Sequence, residues 1–101
     1  MLKSIAENIL TQYLNIQYLK IEIKKAFLIK YKKGTLKDKA NRVKAPDLYQ
    51  ELSEDMRIVN GFLFKTLTRD TLNLMGIKLS KSNDAWYFRG AKRVSPPDNL
   101  Q

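Results

Sequence analysis

The chain contains neither cysteine nor histidine. The first absence excludes disulfides and thiolate metal sites, and the second removes the commonest metal ligand and general base. No phosphate-binding loop stands in their place, so no catalytic role, metal or cofactor is expected. No uninterrupted apolar run is longer than Ala26–Ile29, which is far too short to span a bilayer. Glu7 and Asn8 stand where a secretory signal needs an apolar segment, which predicts an intracellular protein with no membrane contact. Acidic residues are also scarce, 10 against 19 basic ones, for a net charge of +9.

That positive charge is unevenly placed. Residues 15–34 carry six lysines against Glu22, and residues 77–101 carry five basic residues against Asp84 and Asp98. Only residues 51–60 are acidic, with Glu51, Glu54 and Asp55 against Arg57. Basic charge gathered in segments points to a polyanion, most often nucleic acid. A lysine-rich surface from compositional bias is the plainer alternative. At 101 residues the chain is long enough for one small domain.

Ser4 and Glu7 form a capping box at the start of the first segment. Leu2, Ile5, Ile9, Ile16, Leu19, Ile23 and Ala26 then follow a seven-residue pattern. This predicts a helix from about Ser4 to Lys33, with Asn15 as the point where a break would fall and Gly34 as its end. Period two over Leu19, Ile21 and Ile23 leaves a strand as the alternative there. Leu10, Tyr13 and Leu14 widen the apolar surface beyond one small core. Ile5, Ile9, Ile16 and Leu19 are therefore expected at a homodimer interface or against a neighbouring domain.

Residues 34–45 read as a polar loop. A second helix follows, with Pro46 at its first position, Asp47 beside its N-terminal dipole, and Leu48, Leu52 and Met56 inward. Its acidic residues read as a solvated face. A third helix is capped by Asn60 or, in a shorter version, by Thr68, and is stopped by Gly76. In the longer version Leu63, Phe64, Leu67, Leu74 and Met75 turn inward. Lys65, Arg69 and Asn73 then line one exposed strip at four-residue spacing.

From Gly76 to Gly90 the pattern changes to period two. Ile77, Leu79, Trp86 and Phe88 share one face, expected to close the core, and Tyr87 and Arg89 share the other. Ser82-Asn83-Asp84 supplies turn residues between the two runs. After Gly90 the periodicity fades, and residues 95–101, with Pro96-Pro97, are expected to be disordered.

Leu48-Tyr49 on the second helix, Gly76-Ile77 closing the third, Lys81, then Trp86-Tyr87-Phe88 and Gly90 form a series. It resembles the winged-helix domain at the C-terminal end of poxvirus-type primase–helicases of viruses, phages and plasmids. The last strand is also similar to that of regulatory-factor-X type transcription factors, whose wing enters the DNA groove. The resemblance covers roughly residues 17–94 and departs at Thr68, where that family has an aromatic. It implies an α+β winged helix-turn-helix, mostly α with a small β-hairpin. Three core helices would carry the wing, behind an extended N-terminal helix. Residues 1–94 would form one domain, with 1–16 as a dimerisation extension.

The functional expectation is a non-enzymatic module that binds duplex DNA in replication or transcription regulation. Lys65, Arg69 and Asn73 would enter the groove, since Arg and Lys read guanine, Asn reads adenine, and either cation can hold a phosphate. Lys78, Lys81, Ser82, Asn83 and Arg89 on the wing would supply affinity more than sequence choice. An ordinary solvated face is the alternative for each. Lys24, Lys25 and Lys30 would extend the patch, whereas Lys32 and Lys33 read as helix-end lysines answering the dipole. The competing function is a protein-interaction or dimerisation domain of the same shape. RNA binding would more often show exposed aromatics on an open sheet.

Overall fold

The apolar repeat of the first third of the chain folds as one helix, α1 (Leu2–Lys30), unbroken at Asn15. The computed structural model describes the backbone of residues 2–94 and the side chains of residues 14–94. The expected capping box, the candidate interface residues Ile5 and Ile9, and the tail 95–101 lie outside the described side chains. Ile23 and Phe27 are one turn apart and fully buried, with Ile16, Leu19 and Ala26 packed beside them. Ile16 and Leu19, expected on an intermolecular stripe, thus lie against the chain's own core. Leu14, Tyr18, Ile21, Leu28 and Ile29 of the same helix remain exposed.

Lys30 ends α1, short of the expected Lys33. The next residues form β1 (Tyr31–Lys33), antiparallel to β5 (Ala91–Arg93), with Tyr31 opposite Arg93 and Lys33 opposite Ala91. The Val94 amide donates to the Lys30 carbonyl at 2.8 Å, satisfying one of the acceptors that a helix end leaves open. The expected helix end fails here for one reason. The lysine-rich helix end and the aperiodic tail are each other's strand partner, and a pairing so distant leaves no local pattern.

The expected loop over 34–45 likewise contains β2 (Arg42–Lys44). Helix α2 (Ala45–Met56) has Pro46 as its second residue rather than its first, and buries Leu48 and Leu52 with Met56 beside them. Its acidic residues are not merely solvated. Glu51 meets Arg93 of β5 at 3.0 Å, and Asp55 meets Lys30 of α1 at 3.0 Å. Such exposed pairs are worth at most about 1 kcal/mol each.

Helix α3 (Phe62–Leu74) follows the longer reading, but Gly61 rather than Asn60 is its N-cap. Its inward stripe is Phe64, Leu67, Thr68, Thr71 and Leu72. Leu63 and Leu74, expected inward, are 57% and 84% exposed. The stripe is rotated by about one position from the expected one, because buried Thr68 and Thr71 belong to it. At the far end Gly76, φ +84, lets its amide reach the Asn73 carbonyl while Ile77 reaches that of Leu72. This is the paired bonding that stops helices at glycine.

Strands β3 (Lys78–Ser82) and β4 (Ala85–Arg89) form the hairpin, turning at Asn83 and Asp84 with Asn83 at φ 55. The three-stranded sheet runs β2-β4-β3 and is antiparallel throughout. Val43, Phe88 and Leu79 lie side by side across it and face the helices. Phe88 is fully buried, its ring edge-on to Tyr49 at 5.4 Å. Three helices with small antiparallel sheets make an α+β fold, compatible with a winged-helix-like arrangement. Among the described residues no helix is long and apolar enough to cross a membrane.

Trp86 corrects the expected core. It shares the face of Phe88, yet it is 48% exposed, at the rim of a hollow bordered by Pro46, Tyr49 and Lys65. Alternation determines the face of a strand residue and says nothing of its depth. Phe88→Ala should therefore cost about 3–5 kcal/mol and Trp86→Ala under about 2 kcal/mol, compared by urea denaturation. Equal losses would contradict this placement.

Tyr31 generates a pH prediction. Burial, and then the Glu51 carboxylate beside it, push its pKa up from 10.0 to about 12, against the opposing pull of Arg93. The fold favours the neutral phenol. Its contribution is thus complete below the unfolded pKa and is lost as pH rises from about 10 to about 12. Tyr31→Phe should flatten the alkaline fall in stability, measured by denaturation at about pH 9 and about pH 11.

Candidate nucleic-acid interface

The α3 strip is present as spaced. Lys65, Arg69 and Asn73 are all exposed, since the inward stripe takes the opposite side of the helix. Strand β3 adds to it: the Lys78 ammonium donates to Asn73 Oδ1 at 2.8 Å. Arg69, Asp70, Asn73, Lys78 and Leu79 border a hollow of about 320 Å³. Asp70 lies 3.6 Å from Arg69 Nε, leaving the rest of the guanidinium fork open. The Lys78 contact takes one of the two acceptor positions of Asn73 Oδ1 and leaves the other, with the amide N–H groups, for an adenine edge.

Leu79 also borders a second, shallower hollow with Pro46, Tyr49, Lys65 and Trp86. The Lys65 ammonium stands 5.8 Å from the centre of the Tyr49 ring. Burial raises the Tyr49 pKa, and Arg69 pulls it back. Its phenol is therefore neutral and adds no negative charge to this surface. Lys81 is paired with Trp86 across the hairpin. Lys78, Arg69, Lys65, Trp86 and Lys81 thus border one surface, with an exposed indole among cations.

The candidate wing residues do not all join that surface. Strand alternation sends Lys81 to the helix side and Ser82 and Arg89 to the outer side, while Asn83 occupies the tip. Lys78 begins on the outer row but reaches back to α3 through its ammonium. On the outer side Arg89 Nη2 donates to the Leu36 carbonyl at 2.8 Å, and Arg42 lies over the Tyr87 ring at 4.3 Å. Tyr87 points outward beside Arg89 as expected, with one ring face already covered.

Lysines of α1 contribute less. Lys25 pairs with Glu22 and Lys30 with Asp55. Lys32 and Lys33 lie in β1, so the helix-end reading does not apply to them. Lys20 and Lys24 border α3, near Thr71, Leu74 and Met75. The sequence reading missed Lys39 and Arg42, which come from the stretch taken as loop. The sign that could have revealed them was the basic run 37–44, with Arg42 and Lys44 alternating around Val43. No group of acidic residues among the described ones could hold a metal ion.

The chain matches no protein-family model, no curated protein and no solved structure. What the surface can do therefore rests on its own chemistry.

Trp86 is the only tryptophan in the chain, so its emission reports this surface directly. The free protein should show solvent-facing emission that acrylamide quenches readily. Saturating duplex DNA should lower that quenching. Unchanged quenching with duplex bound would put the contact elsewhere on the molecule.

Proposed function

We propose that the chain is a non-enzymatic module that binds duplex DNA with α3 and the helix side of its hairpin. The observation that carries this reading is the uncovered strip Lys65–Arg69–Asn73, joined by Lys78 and bordered by the exposed Trp86. Lys65, Arg69 and Lys78 supply phosphate contacts, which dominate affinity, and the same arginine can donate to a guanine edge. Asn83 at the hairpin tip reaches toward the groove beside the helix. The wider role is that of a winged-helix module of viral, phage or plasmid primase–helicase type, acting inside the cell in replication or transcription regulation. Its support is the motif series from Leu48-Tyr49 to Gly90, together with a fold compatible with that shape.

A second reading, a protein-interaction domain, is favoured by the exposed apolar residues of α1, among them Tyr18 and Ile29 at 64% and 75%. The two readings separate on salt dependence. Lys65→Ala with Arg69→Ala should weaken duplex binding at every salt concentration. It should also reduce the slope of log K against log salt by about one unit per lost phosphate contact. Anisotropy titrations of a labelled duplex over a range of salt would measure it. An unchanged affinity and slope would leave the interaction reading as the better one.

A further inference from the structure

The outer face of the three-stranded sheet carries positive charge that α3 does not use. Its register sets Arg42 opposite Arg89 and Arg89 opposite Lys78, with Lys44, Tyr87 and Ser80 in the neighbouring row. Like charges directly opposite one another destabilise a sheet, so the Arg42–Arg89 pair is a standing cost unless an anion meets it, while the Lys78 ammonium turns away to Asn73 of α3. Arg42, Arg89, Tyr87, Ser80 and Ser82 border a hollow of about 350 Å³, with Lys81 at its edge and Lys39 added from the preceding loop. No acidic side chain lines this hollow. Among the described residues, the ion pairs all lie elsewhere.

Both guanidinium groups are held in place. Arg42 rests on the Tyr87 ring, and Arg89 is tied to the Leu36 carbonyl. Planar donors positioned in advance lose little freedom on binding and match the paired oxygens of a phosphate. The hydroxyls of Ser80 and Ser82 add neutral donors at the rim. Strand alternation puts this site on the opposite side of the sheet from Leu79 and Trp86, which border the α3 surface.

We propose that this hollow binds a phosphodiester of a second nucleic-acid segment, so that one chain holds two segments, one on each side of its hairpin. This rests on the duplex-binding reading of α3. The ligand group is a phosphate, and its source is a polymer backbone rather than the free ion. A polymer continues from the hollow past Arg42 to Lys44, which lies opposite Tyr87 on the same face, whereas an isolated ion would meet only the hollow.

Two short duplexes carrying donor and acceptor dyes test the inference with the full chain. Energy transfer between them reports bridging, and anisotropy of one labelled duplex reports single binding. The unmodified chain should give transfer. Arg42→Gln with Arg89→Gln should lose most of it while keeping single-duplex binding and an unchanged melting curve. Both side chains are largely at the surface, so the fold should survive their replacement. Retention of full transfer by that variant would overturn the inference, including the case in which dimers of the chain do the bridging. Replacing chloride by inorganic phosphate at constant ionic strength should leave transfer in place. Its loss at low phosphate would overturn the choice of a polymer backbone. Failure of the α3 reading shows separately, as unchanged single-duplex binding by Lys65→Ala with Arg69→Ala.

Discussion

The left-handed backbone of Gly90 holds the two sheets together. At φ +92 the chain turns out of β4 and into β5 within one residue, so a single stretch pairs with β2 and β3 before it and with β1 after it. Its amide donates to the Asn41 carbonyl at 2.8 Å, and its carbonyl accepts from the Gly34 amide at 2.7 Å. A side chain there would be strained by the backbone and would also stand 3.0 Å from Leu36 Cδ2. The hairpin's position against α3 and the docking of the end of α1 both depend on this junction.

The same geometry decides where charge is left over. The acidic residues of α2 are drawn to the side where α1 and β5 end, and there Glu51 and Asp55 answer Arg93 and Lys30. Those pairs contribute little stability individually, but they answer Glu51 and Asp55 with cations of other elements. The strip on α3 retains only Asp70 beside it, and the outer sheet hollow has no acid at all. Lys65, Arg69, Lys78 and Lys81 on one surface, and Lys39, Arg42 and Arg89 at the other, thus keep positive charge with little acid beside it. Concentrated fields of one sign attract polyanions and speed their approach.

The hairpin carries buried and exposed side chains on one face. Phe88 and Trp86 point the same way from the same strand, yet one is sealed under Tyr49 and α2 and the other stands in water beside Lys65 and Lys81. The inner half of the strand anchors the hairpin, and its outer half carries an indole and cations beyond the core. On the other side Arg42 rests on the Tyr87 ring while its guanidinium charge stays unanswered. A rigid two-sided hairpin can therefore present chemistry on both faces at once.

Local pattern was enough for much of this. The three helices, the hairpin with its Asn83-Asp84 turn, the stop at Gly76 and the exposed strip Lys65, Arg69, Asn73 all follow from periodicities and turn chemistry that short windows of residues contain. What those windows could not contain was pairing at a distance. Strands β1, β2 and β5 are only three residues each, too short for an alternating pattern to stand out, and they exist because distant partners supply the hydrogen bonds. The depth of Trp86, the ion pairs of Glu51 and Asp55, and the gathering of Lys39, Arg42 and Arg89 at one hollow have the same origin. The sequence by itself determined which faces are apolar and which residues carry charge. Only the tertiary structure decided how far each face is covered and which charges meet, because burial and pairing belong to contacts between elements rather than to any element alone.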